Sequence, residues 1–301
     1  MTLIVRSNRE ARAFAASAPT EAPSTEVKSQ FPAEPPQGKL APTGGRAVRA
    51  ATSVGAQIDH IVVVAQTLEQ GVAWCEATLG ITPNEGGEHK QFGTHNCLFK
   101  IATPQYPLAY FEIIAIKPDA TNSIATQTIN TPATGQKRIN SARWFDMDDA
   151  ALQKAVAAEP RLVHFVAQTA DIQAAKSELK LQGIDRGTAV EASRHTRKGR
   201  LEWKITVRDD GQRLFNGTLP SLIQWGKNAD AEPLRLHPRN TLPRSGVSLQ
   251  SVAVTSSSAD KLQAAYTAIG LSGVTVSEGE PNLSVTLRTP KGVVTLQSMG
   301  I

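Results

Sequence analysis

The sequence predicts an α+β fold of three βαβββ modules, two of them paired into a half barrel. Three observations point to it. The phrases "TLGI" at Gly80, "LQGI" at Gly183 and "AIGL" at Gly270 each close a segment reading strand, amphipathic helix, glycine, and strand-like sequence follows each one. After the first two of these glycines, His89-Lys-Gln-Phe-Gly93 is matched by His195-Thr-Arg-Lys-Gly199, each a His four residues before a Gly and just before the third element. The last strands, "YFEIIAI", "SLIQWGK" and "VTLQSMG", are read as aligned, with Glu112, Gln224 and Gln297 in one position. A single unit of this kind leaves a sheet face and edges uncovered, so units are expected to pair and to enclose a cleft between them.

The chain has 301 residues and a formal net charge of +5. Residues 1–55 carry seven Lys or Arg against four Glu, which leaves the rest of the chain near neutral. That is a poor electrostatic footprint for phosphate backbones, so no nucleic-acid partner is expected. No run of about 18 apolar residues occurs, and no membrane span is expected. The N-terminus lacks the continuous apolar stretch of a secretory signal, so the expected compartment is cytoplasmic. Cys75 and Cys97 are the only cysteines and read as small buried hydrophobes rather than a disulfide framework.

Residues 1–55 are rich in Ala, Pro, Ser and Thr and read as a disordered tail with too little apolar surface to offset ordering entropy. The first module, 56–117, opens with the β-branched strand "QIDHIVVVA". Thr67 is placed to cap a helix ending at Gly80, and three strand candidates follow at 86–93, 94–102 and 108–116. Residues 117–143 are polar and predict a long loop. A linker helix is predicted over 146–160, stopped by Pro160. The second module, 161–228, repeats the pattern with "RLVHFVAQT", a helix starting at Asp171, and the strands "GTAVEASRH", "RLEWKITVRD" and "LPSLIQWG". A Pro-rich connector, to whose His237 no role is assigned, leads to the third, diverged module at 244–301.

The stretches "IDHIVVVAQTLEQGVAW", "GGEHKQFGTHN" and "YFEIIAI" resemble the vicinal oxygen chelate superfamily, and within it the glyoxalase-like domain proteins. The resemblance covers about residues 56–228. It implies a site built from the first and last strands of two modules, with His60, Glu112, His164 and Gln224 as metal ligands. Such a donor set suits a divalent transition metal, Fe, Mn, Zn or Ni. It further implies a lyase, isomerase or dioxygenase acting on a small oxygen-rich metabolite, with Glu112 as ligand or proton carrier. Gln224 departs from the carboxylate usual at its position, and matching "VAQT" in the two first strands sets His164 two residues further along than His60.

Each candidate also has a plainer reading. His60 alternates with Ile58 and Val62 and reads as a ligand or as a hydrogen-bonded core histidine. Glu112 lies between Phe111 and Ile113, where a carboxylate is costly unless paired. His89 reads as a catalytic or substrate-binding group lining the cleft, or as part of a polar hairpin. The basic run around His195, with Arg194, Arg197, Lys198 and Arg200, reads as a solvated hairpin or as an anion clamp over the cleft. The third module offers only Gln250 and Gln297, so it is expected to close an open edge or to mediate a homodimer. The alternative function is a non-catalytic protein that binds or sequesters a small molecule in the same cleft.

Overall fold

The computed structural model describes residues 55–120, 126–131, 135–140, 142–196, 199–226 and 235–299, the segments at 126–131 and 135–140 as backbone only. The tail expected up to residue 55 falls almost wholly outside the described residues. Strand β1 (Gln57–Val64) is buried past its first residue. Thr67 Oγ1 accepts from the Gln70 N–H at 3.2 Å and caps helix α1 (Leu68–Leu79). Gly71, Cys75 and Leu79 recur every four residues on its buried face. Gly80 ends the helix at φ +77°, a backbone conformation that side chains with a Cβ resist. Strands β2 (Asn84–His89), β3 (Thr94–Lys100) and β4 (Tyr110–Ile116) complete the first module.

The segment expected to be a long loop instead contains a hairpin, β5 (Thr126–Thr131) and β6 (Gly135–Asn140). Its threonines are β-branched strand formers, and their polarity hid that propensity among Asn and Ala. The linker helix is shorter than expected. Residues 144–146 form a 3-10 turn, and helix α2 (Ala150–Ala158) starts only after Asp149 caps it. The second module follows as β7 (Arg161–Gln168), α3 (Ile172–Leu181), β8 (Thr188–Thr196), β9 (Gly199–Val207) and β10 (Ser221–Trp225).

The two modules share one eight-stranded sheet in the order β2-β3-β4-β1-β7-β10-β9-β8. Each first strand lies parallel to its own module's last strand, β1 to β4 and β7 to β10. The two first strands join antiparallel at the centre. The outer strands come back towards each other, with Gly87 of β2 close against Arg194 of β8. One face of the sheet packs Ile61, Val63, Phe99, Phe111 and Phe165 into a core with the helices. The other face carries Val62, Val64, Ile114, Trp203 and Trp225. Burial on both faces explains why β1, β4 and β7 read as nearly continuous apolar runs.

The third unit keeps the order of elements but not their pairing. Strand β11 (Ser248–Ser256), helix α5 (Ala259–Ala268), β12 (Val274–Glu278), β13 (Asn282–Thr289) and β14 (Gly292–Gln297) form a separate sheet, β12-β11-β13-β14. Its first strand lies between β12 and β13, and its last strand is a distant edge. Gln250 and Gln297 therefore do not share positions with His60 and Glu112. A repeat in sequence reports the order of elements and is blind to which strands pair. The unit packs onto the first core through Leu262, Tyr266 and Val285. Tyr106 Oη donates to the Gly273 carbonyl at 2.9 Å, and Tyr266 Oη donates to that of Thr218.

Candidate functional site

The site grows from a local irregularity in β1. The register between β1 and β7 shifts between Ile58 and His60, and such a bulge re-aims side chains. The consecutive residues Asp59 and His60 consequently face each other, with Asp59 Oδ1 at 2.6 Å from His60 Nδ1. The other Asp59 oxygen accepts from Trp225 Nε1 at 2.8 Å and from His237 Nε2 at 2.9 Å. Asp59 and His237 have no solvent exposure at all. Burial alone would push the Asp59 carboxyl up, but His237 and then His60 override it and hold it far below the usual carboxylate range.

With Nδ1 held by Asp59, His60 turns Nε2 towards Glu112 Oε2, 3.5 Å away. The imidazole stacks on Tyr110, its neighbour on β4, with ring centroids 4.6 Å apart. Glu112 stands two residues beyond Tyr110 and is also buried. Its Oε1 accepts from Asn96 Nδ2 at 2.5 Å, and the Gly87 N–H donates to Asn96 Oδ1 at 2.8 Å. That second bond sets the amide so that its NH2 faces the carboxylate. A Cβ on Gly86 would lie 2.1 Å from Asn96 Oδ1, so the glycine pair in "GGEHKQFGTHN" is needed for this close approach.

These groups line one cavity. His60, His89, Asn96, Tyr110 and Glu112 come from the first module. Trp203, Trp225, Leu201 and Arg194 come from the second, and Trp144 and Phe145 from the turn between them. Phe145 and Asp146 hold left-handed backbone, φ 60° and 57°. Arg213 Nε donates to Asp146 Oδ2 at 2.7 Å and secures that strained turn. His89 lies edge-on to Trp144, with Thr94 Oγ1 at 3.1 Å from its Nδ1. Burial, then Arg194 and His60, push the His89 pKa down to about 3. At neutral pH the imidazole is therefore uncharged, with one ring N–H, and it forms part of the cavity wall.

The four expected ligands are not brought together. His164 Nδ1 is 2.9 Å from the Gly217 carbonyl, and its Nε2 accepts from the Ser221 N–H at 3.0 Å. Both ring nitrogens are thus consumed inside the protein, and burial holds the imidazole neutral, with its pKa well below the usual range. Gln224 turns its Oε1 to the Ile172 N–H at 3.0 Å, at the start of α3. Among the described residues no cluster of three or more His, Cys, Asp or Glu could hold a metal ion. His60 and Glu112 alone face the cavity, and this donor pair does not fit the four-ligand site that the resemblance implied.

Strand pairing shows why Gln224 misses. His60 stands seven residues before the helix cap Thr67, and His164 seven before the cap Asp171, so the histidines do correspond. Glu112 pairs with Val62, and the equivalent residue of the second module, Val166, pairs with Ser221. The counterpart of Glu112 is therefore Ser221. Sequence reasoning also passed over Asp59, Tyr110 and His237. Asp59 had a usable signal, a carboxylate within an apolar strand. His237 had none, because its partner lies 178 residues away.

The model of the glyoxalase-like domain family matches residues 58–270, and the chain belongs to that family. No curated protein matches it in sequence. Among solved structures it is similar to a hypothetical protein from Staphylococcus aureus, at 16% identity over 80% of this chain and 85% of that one, with a TM-score of 0.47. A variant of Streptomyces coelicolor methylmalonyl-CoA epimerase in complex with 2-nitronate-propionyl-CoA gives 17% identity over 56% of this chain and 96% of that one, TM-score 0.33. A mutant 4-hydroxymandelate synthase from Streptomyces coelicolor gives 12% identity over 81% and 62%, TM-score 0.39. Among the described residues no helix is long and apolar enough to cross a membrane.

Proposed function

We propose that this protein is a proton-transfer enzyme, an isomerase or lyase acting on a small oxygen-rich metabolite in the cavity beside Glu112. The observation that carries this reading is the pair formed by Glu112 and His60. Glu112 is a buried carboxylate with one oxygen fixed by Asn96 and the other facing a histidine that a second carboxylate orients. A buried carboxylate with one oxygen turned to an oriented imidazole has the geometry of an acid–base pair. Glu112 Oε2 takes a proton from the carbon next to a carbonyl, and the C–H electron pair becomes the C=C bond of an enediol. His60, when Nε2 carries a proton, donates it to the carbonyl oxygen. Isomerisation is complete when Glu112 gives its proton to the former carbonyl carbon and His60 recovers one from the other enediol hydroxyl, and loss of a leaving group from the enediol gives a lyase.

Ring cleavage by Fe(II) would need His60, His164 and Glu112 on one metal, and His164 is committed elsewhere. The test is proton exchange in D2O across a panel of small 2-oxo and 2-hydroxy compounds, read by proton NMR. The wild type is expected to exchange the hydrogen next to the carbonyl, and Glu112→Gln to lose that exchange by about 100-fold or more. Equal exchange by the two proteins would refute the assignment. Tight binding without exchange would favour the non-catalytic reading.

A further inference from the structure

The unused donors of the cavity say what it takes. Arg194 reaches into it from β8, and its Nε and Nη1 are buried without a hydrogen-bond partner. Trp144, also a cavity wall and almost fully buried, has an equally unpartnered Nε1. A guanidinium keeps its charge at any ordinary pH, so buried N–H groups on it are costly to leave unpaired. Glu112 does not supply the missing partner, since its Oε1 accepts from Asn96 and its Oε2 is turned towards His60 Nε2, 3.5 Å away. What is missing is therefore an acceptor, and one with negative charge.

Position strengthens the argument. Among the described residues Arg194 is the one charged side chain that the second module sends to the cavity wall, whereas the carboxylate of Glu112 comes from the first. Gly87 of β2 makes room for it, since a Cβ there would lie 2.7 Å from Nη1 and 3.2 Å from Cδ. The seam between the two outer strands thus holds a cation on the wall of the cavity that also contains Glu112. The anion has little space and is walled by Trp144 and Trp203, which disfavours a heavily hydrated dianion.

We propose that Arg194 and Trp144 bind a carboxylate, and that the substrate class is a small 2-oxo monocarboxylic acid with a hydrogen on the carbon facing Glu112. This rests on the proton-transfer reading for the reaction but not for the binding. Arg194 and the Trp144 indole donate to the carboxylate oxygens. Glu112 Oε2 removes the proton from the carbon beyond the keto group, and the electron pair passes into the C=C bond as the carbonyl oxygen takes up charge and a proton from His60. No oxidant or further reactant is required.

The experiment compares 2-oxobutyrate with its uncharged amide, in the full-length wild type, Arg194→Met and Glu112→Gln. Binding is read by calorimetry and exchange at C3 by proton NMR in D2O. The wild type is expected to bind the acid roughly ten- to hundredfold more tightly than the amide, as suits charged hydrogen bonds. Arg194→Met abolishes that preference, and Glu112→Gln keeps it while losing exchange. Thermal unfolding without ligand separates a binding role from a structural one. Arg194→Met should leave the midpoint unchanged or raise it, because no internal bond is lost. Equal affinity for acid and amide overturns the carboxylate site even if exchange occurs. Acid preference without exchange in the wild type leaves the site standing and overturns the proton-transfer reading. A lowered midpoint in Arg194→Met with acid preference intact assigns the residue to structure and also overturns the proposal.

Discussion

Replacing Asp59 by Asn removes one charge and almost no volume, so its effect reports electrostatics and hydrogen bonding alone. Asp59 accepts from three donors, at 2.6 Å from His60, 2.8 Å from Trp225 and 2.9 Å from His237. An amide in its place has one acceptor oxygen, and its NH2 must confront at least one of those donors. Both Asp59 and His237 are fully buried, so solvent does not screen the loss. Breaking a buried pair from one side costs about 3–5 kcal/mol. For a folded unit of this size each kcal/mol moves the melting midpoint by about 2–4 °C, which puts the expected fall at roughly 6–20 °C. The pH dependence has a definite sign. The folded carboxyl is held below its unfolded pKa, so its contribution is complete above about pH 4 and is lost as pH falls below that. The gap between wild type and Asp59→Asn should therefore be largest at neutral pH and close towards acid. A double-mutant cycle with His237→Phe should show coupling above about 1 kcal/mol. Stability of Asp59→Asn within about 1 kcal/mol of wild type at pH 7, or a gap that widens in acid, would refute the reasoning.

Other outcomes follow from the same geometry. His164→Phe leaves the Gly217 carbonyl and the Ser221 N–H unpaired, and should cost roughly 2–6 kcal/mol in denaturant unfolding while exchange per folded molecule stays unchanged. A collapse of exchange in folded His164→Phe would place that histidine back in the site. His89 titrates near 3 in the folded chain and His164 is also lowered, so the unfolded chain binds more protons between those values and about 6.5. Stability should rise with pH across that window by up to about 1.4 kcal/mol per unit for each histidine. His89→Gln should flatten the slope, and an unaltered slope would show that the imidazole is protonated in the folded protein. Chelation with EDTA should leave exchange intact, because the cavity gathers only two of the four expected ligands. Loss on chelation with recovery on adding back one divalent metal would show that the ligand set assembles after all.

The fold was legible because βαβββ modules are written locally. Thr67, Gly80, Asp171 and the periodic Cys75 and Leu79 each mark an end or a face within a dozen residues. The buried cysteines followed the same logic, and burial first, then Glu112, pushes the Cys97 thiol up to about 12, which leaves it inert. The site was legible only in the first module, where His60 and Glu112 sit on adjacent parallel strands. What failed was register. The "VAQT" match misplaces His164 because the second helix is capped by Asp171 rather than Thr169, and aligning the last strands by their sequence puts Gln224 in the place of Glu112, three residues past Ser221. The pairing in the third unit differs altogether, and no period in the sequence carries that information. His237 belongs to the site through one long-range bond to Asp59, which depends on tertiary packing alone.

Duplication put a histidine at the same place in both halves, yet only one opens into the cavity. The cause lies in what stands beside each. His60 meets Glu112, whereas His164 meets Ser221, whose Oγ accepts from Arg186 Nη2 at 2.6 Å. A left-handed turn at Phe215 and Asn216 then delivers the Gly217 carbonyl to His164 Nδ1. The second half has thus converted its copy of the pair into a buried knot of hydrogen bonds that includes Arg186. Its contribution to the cavity comes instead from Arg194 of β8, Leu201 and Trp203 of β9 and Trp225 of β10. The two halves thus share the cavity unequally, the first giving the carboxylate and its histidine, the second aromatic wall and a guanidinium, and under the proposed reading that division suits a charged substrate held among them.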